Sequence, residues 1–372
     1  MVAAGFTAGE ADQLRRAMGA WRRQGVIDQF QKKLVEGMLR NGYTPDFAER
    51  LFQQIRGFGE YGFPESHASS FALLVYASAW LKRHHPATFT AALLNSMPLG
   101  FYEPAQLIAE VRREGVEVRP VDANASEWDC TLERRANGSL ALRLGWRIVH
   151  SLRRSTAEQI AVARQAGPFT SQADFARRTG IGRSELSLLA KADAFRSLKT
   201  VRRTAVWDAL PARESSPLFA ALDDEQAVAL PTMTPAQEVV ADYQTAGLSL
   251  RAHPLSFLRA TLDQSGVIRT AELAQVEPDR RYRVAGLVLL RQRPSTAKEI
   301  TFMTIEDETG TANLIVHVNT WERFRSIARR ASALIVHGIL QRQHGVIHLL
   351  VDCMVDLTEV LGSVANHSRD FR

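Results

Sequence analysis

Hydrophobic positions in roughly the first 90 residues of this 372-residue chain recur every three or four residues, the spacing of helices that bury one face. The pattern predicts three helices; a Thr-x-x-Glu capping box opens the first, a Thr-Pro start opens the third, and Gly42 ends the second. Their apolar stripes are Leu14, Met18 and Trp21, then Phe30, Leu34 and Met38, then Phe47, Leu51 and Ile55. A glycine-rich loop is predicted next, from Gly57 to Pro64.

A fourth helix is predicted from Glu65 to Pro86, and no charge falls between Glu65 and Lys82. A helix that is apolar all round is buried on every side. This one is too short and too rich in serine to cross a bilayer. We therefore expect it to lie inside protein.

Both ends of this helix carry candidate anion-binding residues. Ser66 and His67 stand at its positive end, where backbone N–H groups, a hydroxyl and an imidazole favour an anion such as phosphate. Lys82 and Arg83 close the helix and favour its negative end or a nucleic-acid backbone. A capped core helix with a solvated basic end is the alternative interpretation.

Residues 140–210 are predicted to form several short helices, with capping boxes at Ser155 and Ser171. The tight turn Gly180-Ile181-Gly182 joins two of them and predicts a helix-hairpin-helix, whose turn N–H groups grip a DNA phosphate without reading sequence. Arg183 beside the turn suits that role. Many helix pairs turn on glycine, so the motif alone is also compatible with simple packing.

From Tyr282 the period changes to two, with Val284, Gly286, Val288 and Leu290 in alternation. Four more strands are predicted at residues 301–305, 312–316, 333–340 and 346–351, with a helix at 321–330. Five strands with a helix between the third and fourth predict an OB fold. Its first loop carries three cations, Arg291, Arg293 and Lys298. They either bind single-stranded nucleic acid or belong to an exposed polar hairpin without a binding role. Phe302 and Trp321 either stack on bases or, as we favour, pack in the barrel.

Composition is that of globular protein, with 45% hydrophobic and 23% charged residues, and the length predicts two to four domains. No run of 18 apolar residues and no signal-peptide pattern is present, so we expect a cytoplasmic protein without membrane contact. Cys130 and Cys353 stand alone, which predicts neither a disulfide framework nor a zinc site.

The net charge of +6 is unevenly distributed. Residues 121–210 carry 15 Lys and Arg against nine Asp and Glu, and residues 280–372 carry 13 against nine. Residues 211–279 carry four against ten. Two basic modules thus flank an acidic connector, a distribution that suits contact with a phosphate backbone.

Particular sequence phrases resemble a known family. The run Tyr61-Gly62-Phe63-Pro64-Glu65-Ser66-His67-Ala68, with Ala79-Trp80-Leu81-Lys82 and Pro86, closely resembles the fingers of bacterial C-family DNA polymerases, the polymerase III alpha subunits and their relatives. Pro-Glu before Ser-His resembles the error-prone, damage-inducible branch, as do the phrases around Gly100–Pro104, Arg119–Asp122 and Ser368–Phe371. Leu186–Phe195 resembles the second hairpin of these polymerases, and Phe302–Gly310 resembles their OB domain.

The resemblance implies a multidomain α+β fold, with all-helical fingers and a helix-hairpin-helix region followed by a five-stranded OB-fold β-barrel. The expected domains are fingers at 1–122, hairpins at 123–210, an acidic connector with helices at 211–279, the OB fold at 280–358 and a tail at 359–372. In the first hairpin, the glycine of the family pattern near residues 149–152 is replaced, and Arg153 and Arg154 are expected to compensate.

The resemblance also implies site residues and partners. The implied nucleotide-binding residues are Tyr61, Ser66, His67, Lys82 and Arg83. The implied DNA-binding residues are Arg153, Arg154, Gly180, Gly182, Arg183, Arg291, Arg293 and Lys298. The implied partners are primer-template duplex, single-stranded DNA, a deoxynucleoside triphosphate and an inactive Y-family-like polymerase adaptor. Direct binding to a sliding clamp is not expected, because no Gln precedes Pro217-Leu218-Phe219 at the place the clamp peptide requires.

Catalytic acids are expected elsewhere. Two-metal phosphoryl transfer needs closely spaced carboxylates, and polymerases of this family carry them on a D-x-D-like element, which this sequence lacks. We therefore expect no catalytic or metal-binding residue here, Mg²⁺ held by an upstream palm, and Met1 as an internal boundary. The predicted function is that of a fragment of an error-prone polymerase for damage-induced translesion synthesis, which binds DNA without extending it.

Two alternatives remain. A non-catalytic nucleic-acid-binding or scaffold protein would use the same hairpin and OB modules. A hydrolase using Ser66 and His67 is disfavoured, because adjacent side chains at a helix start point apart and no acid is placed to orient the histidine.

Overall fold

The computed structural model describes residues 4–19, 28–61, 65–100, 103–210, 230–294, 300–343, 345–361 and 369–371. The chain divides into two compact units, Met1–His84 and His85–Arg372. In the described residues, no helix is long and apolar enough to span a membrane.

The described residues of the first unit form four α-helices and a 3-10 turn at Asp28–Phe30. The helices are α1 (Ala8–Gly19), α2 (Gln31–Arg40), α3 (Pro45–Tyr61) and α4 (Glu65–His84). The predicted capping box is confirmed: the Glu10 backbone N–H donates to Thr7 Oγ1 at 3.4 Å, and the Thr7 backbone N–H donates to Glu10 Oε2 at 3.1 Å. The first three helices meet through Leu14, Leu34, Met38, Ala48 and Phe52, all buried. Trp21 lies outside the described residues.

The glycine-rich loop was predicted to begin at Gly57, and this is wrong. Helix α3 continues through Gly57 and Gly59 to Tyr61. Each glycine in a helix costs only about 1 kcal/mol relative to alanine, so packing of the same helix through Ala48 and Phe52 outweighs it. Residues 62–64 lie outside the described residues.

The bounds predicted for α4 are confirmed, but its predicted burial is wrong. All its side chains from His67 to His84 are exposed, Leu73 by 75% and Tyr76 by 73%. An uncharged helix predicts that some surface covers it. The pattern does not say that this surface belongs to the same chain.

The second unit begins with α5 (Pro86–Asn95) and α6 (Pro104–Arg113) and a small sheet in the order β1-β3-β2. Its strands are β1 (Val118–Arg119), β2 (Thr131–Arg134) and β3 (Leu140–Arg143). A 3-10 turn at Trp146–Ile148 precedes four helices: α7 (Arg154–Arg164), α8 (Gln172–Thr179), α9 (Arg183–Lys191) and α10 (Arg202–Ala209), with a 3-10 turn at Arg196–Leu198 before the last. They share one core that includes the fully buried Trp146, Phe175 and Leu189.

Helix α11 (Pro235–Ala246) connects the hairpin region to the barrel. Its predicted Thr234–Gln237 capping box and its end at Gly247 are both confirmed. Val239 and Tyr243 of this helix pack with Ala285, Leu287 and Ala333, which belong to the barrel strands. A 3-10 turn (Pro254–Leu258), α12 (Arg259–Gln264), β4 (Val267–Ile268) and a second 3-10 turn (Thr270–Ala274) complete the connector.

The barrel has the five strands that the sequence predicts: β5 (Arg281–Gln292), β6 (Thr301–Glu306), β7 (Thr311–Val316), β8 (Ala333–Gln343) and β9 (Val346–Asp356). The strand order β5-β6-β7-β9-β8 closes because β8 also pairs with β5, and β7 with β9 is the parallel pair. The predicted helix is split into α13 (Val318–Arg323) and α14 (Arg325–Arg330). Strand β10 (Arg369–Phe371) adds to β5 in parallel.

His253 makes the stability of the connector depend on pH. Burial lowers the pKa of this imidazole to about 4 from 6.5, with Glu308 and Asp307 opposing the shift and Arg259 reinforcing it. The unfolded chain therefore takes up this proton near pH 6.5, whereas the folded chain takes it up only near pH 4. We expect stability to fall by about 3 kcal/mol between pH 6.5 and 4 from this group alone.

Urea unfolding at pH 7, 5.5 and 4.5 tests this prediction against His253→Asn, because asparagine also accepts at a helix start, as His253 Nδ1 accepts from the Leu255 N–H at 3.2 Å. The variant should lose much less stability than the parent on acidification. If the parent and the variant lost equal free energy of unfolding on acidification, groups other than His253 would determine the pH dependence.

Candidate nucleic-acid interface

The second hairpin has the geometry that its glycines predict. Gly180 ends α8 in the left-handed conformation, with φ 63° and ψ 16°, and Gly182 precedes α9 in an extended one. A β-carbon on Gly182 would lie 2.9 Å from Glu185 Oε2, the end of a flexible side chain that can move aside, so the conformational need for glycine in this turn rests on Gly180. No side chain caps the start of α9, which leaves its first N–H groups available to a ligand.

The first hairpin repeats this backbone without glycine. Ser151 takes the left-handed conformation at φ 63°, and Arg153 precedes α7 in an extended conformation, as Gly182 precedes α9. Leu152 occupies the place of Ile181, and the start of α7 also has no side-chain cap. The predicted capping box at Ser155 is therefore wrong, because the helix already begins at Arg154. The box predicted at Ser171 is confirmed, with the Asp174 N–H donating to Ser171 Oγ at 3.0 Å.

The turn of the first hairpin and the first turn of α9 line one open groove, which we call the hairpin groove; Gly180 and Gly182 are not among its lining residues. It is lined by residues of both hairpins, including Ser151, Arg153, Arg183, Ser184, Glu185 and Lys191. The side chains of Arg153, Arg183 and Lys191 are exposed, and none has an ion-pair or hydrogen-bond partner among the described residues. Two uncapped helix starts and three unpaired cations thus meet in one place, with Glu185 as the opposing charge.

Arg154 is placed differently from its neighbour Arg153. Its side chain is exposed and its Nε lies 3.1 Å from Glu158 Oε1, one turn further along α7. Arg154 is not among the residues that line the hairpin groove.

Arg291 was predicted to be an exposed loop cation, and this is wrong. A β-bulge between Val288 and Leu290 shifts the faces of β5, so that Arg291 pairs with the buried Met303 and points inward. Its Nε donates to the Ala328 carbonyl at 2.6 Å, and its Nη2 donates to the Ala331 carbonyl. Arg291 therefore holds the end of α14. Arg293 is half-buried, and Lys298 lies outside the described residues.

The outer face of the barrel presents an apolar row. Phe302 of β6 lies beside Ile315 of β7, which lies beside Leu350 of β9, and all three are half-buried. Thr304, Asn313 and His348 form the next row. Trp321 packs against the barrel core, as we favoured, but the same interpretation is wrong for Phe302, which lies in the outer row and not in that core.

The residues predicted to bind nucleotide lie at the two ends of α4. His67 is exposed in its first turn, with its ring centroid 4.3 Å from that of Phe71. Lys82 and Arg83 are exposed in the last turn, about 22 Å away at 1.5 Å per residue. The side chains of Tyr61 and Ser66 lie outside the described residues. Helix α4 therefore does not bring these two sets together.

Three family models match separate parts of the chain. Residues 1–42 match the bacterial DNA polymerase III alpha subunit finger domain, residues 115–205 the helix-hairpin-helix motif, and residues 282–357 the OB-fold nucleic acid binding domain. The whole chain aligns with the error-prone DNA polymerase of Alkalilimnicola ehrlichii at 50% identity and covers 36% of the length of that protein. It aligns with the error-prone DNA polymerase of Rhodopirellula baltica at 52% identity over 33% of its length, and with that of Azoarcus sp. at 51% identity over 35% of its length.

The chain is a homologue of the error-prone DNA polymerases. It spans about a third of the length of the curated error-prone polymerases that it matches. Among solved structures, asparaginyl-tRNA synthetase from Pyrococcus horikoshii covers 25% of this chain at 21% identity, with a TM-score of 0.22. A likeness this low supports no conclusion.

Ser151 and Lys191 line the hairpin groove of this error-prone polymerase homologue but were not predicted from the sequence as site residues. A signal for Ser151 was present, since Ser151-Leu152-Arg153-Arg154 repeats the small-hydrophobic-x-Arg order of Gly180-Ile181-Gly182-Arg183. No local signal existed for Lys191, because it joins the groove only when α9 folds back against the first hairpin.

Proposed function

We propose that this chain binds DNA, with the hairpin groove on the duplex backbone and the outer barrel face on a single strand. The observation that supports this most is that Ser151 and Arg153 of the first hairpin share one groove with Arg183 at the start of α9. Both helix starts lack a side-chain cap, and the three cations of the groove have no partner among the described residues. Phosphate oxygens accept from helix-start N–H groups and pair with arginine. Since such contacts touch no base edge, binding is independent of sequence.

The single strand is assigned to the apolar row of the barrel. Phe302 offers an aromatic face, and Ile315 and Leu350 extend it across three strands. Bases stack on such surfaces at about 1–3 kcal/mol each. Arg293, which follows the end of β5, supplies charge for the backbone of the strand. Lys298 lies outside the described residues and is assigned the same role from the sequence alone.

Within a longer polymerase, we propose that this part contributes substrate binding to DNA-directed DNA synthesis, in the error-prone form that the names of its homologues state. The damage-induced translesion role is the one that the sequence resemblance implies. Residues 1–122 would act as fingers, with Tyr61, Ser66, His67, Lys82 and Arg83 toward the incoming nucleotide. The hairpin, connector, OB and tail segments keep the bounds 123–210, 211–279, 280–358 and 359–372. A Y-family-like adaptor and a cytoplasmic location belong to the same proposal.

DNA polymerases generally use divalent metal ions. Across the described part of the chain, no three His, Cys, Asp or Glu side chains are grouped so that they could hold one.

Replacing Arg153 and Arg183 together by glutamine should weaken binding to a primer-template duplex and flatten its salt dependence. Each lost phosphate contact lowers the slope of log K against log salt by about 0.9, so the pair should lower it by about 2. Fluorescence anisotropy between 50 and 200 mM NaCl, roughly the range over which such contacts are resolved, measures both quantities.

The matched control is Arg135→Gln with Arg177→Gln, which removes the same charge from arginines that are ion-paired with Glu117 and Asp174 and do not line the groove. The control should change the slope little. If both double variants behave alike, the binding reflects net charge and the hairpin assignment fails.

A further inference from the structure

The hairpin groove continues beyond Lys191 into a second cleft. Leu188, Lys191 and Leu210 line both, so the two share a wall. The second cleft lies between α9, α10 and α11 and has a volume of about 600 Å³. Small-molecule sites commonly measure roughly 300–1,000 Å³. The cleft is thus large enough for a flat ring system.

Trp207 forms an exposed aromatic wall of this cleft. Its side chain is 49% exposed, while α10 is anchored through Arg202, Ala205 and Ala209, which are buried. Val206 and Met233 complete an apolar lining. The exposed ring is therefore not needed to hold the helix in place.

Two cations line the cleft together with these apolar side chains. Lys191 lies on the wall shared with the hairpin groove and has no charged or hydrogen-bonding partner among the described residues. Arg203 is contributed by α10, and its guanidinium donates to the Pro231 carbonyl at 2.8 Å and to Gln237 at 3.2 Å. An aromatic face beside free positive charge is the combination that stacks a base and holds its phosphate.

We propose that this cleft receives an unpaired base from the DNA whose backbone occupies the hairpin groove. The inference rests on the proposed function and names the kind of DNA it prefers. A paired base inside a duplex has both faces covered by its neighbours and cannot reach Trp207. The ligand is therefore a duplex that carries an unpaired nucleotide, as at a gap or a single-stranded end.

The test uses the full chain and a duplex with a one-nucleotide gap in which 2-aminopurine stands opposite the gap. Stacking on tryptophan quenches this fluorophore, so binding should reduce its emission with the parent chain. Trp207→Leu keeps the apolar volume but removes the ring, and should abolish the quenching and weaken gapped-DNA binding by about five- to 100-fold. Trp207→Phe keeps a ring and should retain most of both effects.

Fully paired duplex separates this inference from the proposed function. Trp207→Leu should bind paired duplex as the parent does, whereas the Arg153 and Arg183 double variant should lose affinity for both ligands. The inference is overturned if Trp207→Leu leaves gapped-DNA binding unchanged, as a peptide-docking cleft would, or weakens both ligands equally. If the double variant loses neither ligand, the proposed function itself fails.

Discussion

Replacing Arg202 by alanine is expected to destabilise the folded chain by about 3–5 kcal/mol, since it removes one partner from a buried charge network. Arg202 is 3% exposed, and its guanidinium lies against Asp242 and, at 2.8 Å, against Glu238, with Asp193 at 4.0 Å. Without it, three largely buried carboxylates share only Arg251. Burial lowers the pKa of Arg251, but the three carboxylates outweigh it and raise that pKa.

Urea unfolding at neutral pH measures the loss. The control is Arg203→Ala on the same helix, because Arg203 is only half-buried and bonds to a carbonyl and an amide. It should cost about 1 kcal/mol. If Arg202→Ala lowers the free energy of unfolding by no more than Arg203→Ala does, the buried charge network contributes no more than exposed ion pairs do.

Asp307→Ala should destabilise the barrel by a similar amount, about 3–5 kcal/mol, because it strips the acceptor from several buried donors. The Asp307 carboxylate is fully buried and accepts from the backbone N–H and hydroxyl of both Thr270 and Thr309 at 2.7–2.8 Å. Burial alone would raise the pKa of Asp307, but the bonds from Thr270 and Thr309 outweigh it and lower that pKa. The bonds tie the connector to the turn between β6 and β7.

Hydrogen–deuterium exchange of peptides that cover β6 and β7 reports the effect locally. Asp356→Ala is the matched control, since Asp356 makes the same turn bond to the backbone N–H two residues on, at 2.8 Å, but is exposed. It should change exchange little. Equal protection of β6 and β7 in both variants would show that the buried carboxylate is dispensable.

The sequence predicts the barrel well for a physical reason. Its strands are long enough for several alternations, and β6 shows them directly, with Thr301, Met303 and Ile305 buried and the residues between them half-buried. Strands β2 and β3 of the small sheet were missed because four residues each offer too few positions to establish a period. At Arg291, a single bulged residue reversed the face, which a fixed period of two cannot anticipate.

Site residues could be predicted from the sequence only where the residue type itself determines the local backbone conformation. Gly180 marks the turn in the sequence because the left-handed conformation that it adopts favours glycine. Ser151 adopts the same conformation for tertiary reasons, since Leu152 beside it is buried in the hairpin core. The cleft around Trp207 depends on three helices that are distant in sequence, and no spacing rule brings them together.

Helix α11 has a consequence for the path of bound DNA. One side of it receives the Arg202 hydrogen bonds, and the other packs on β5 and β8 through Val239 and Tyr243. Helix α11 therefore fixes the position of the hairpins relative to the barrel. If one nucleic acid bound both, the bend between its duplex part and its single-stranded part would be set by α11 and not by the stiffness of the nucleic acid.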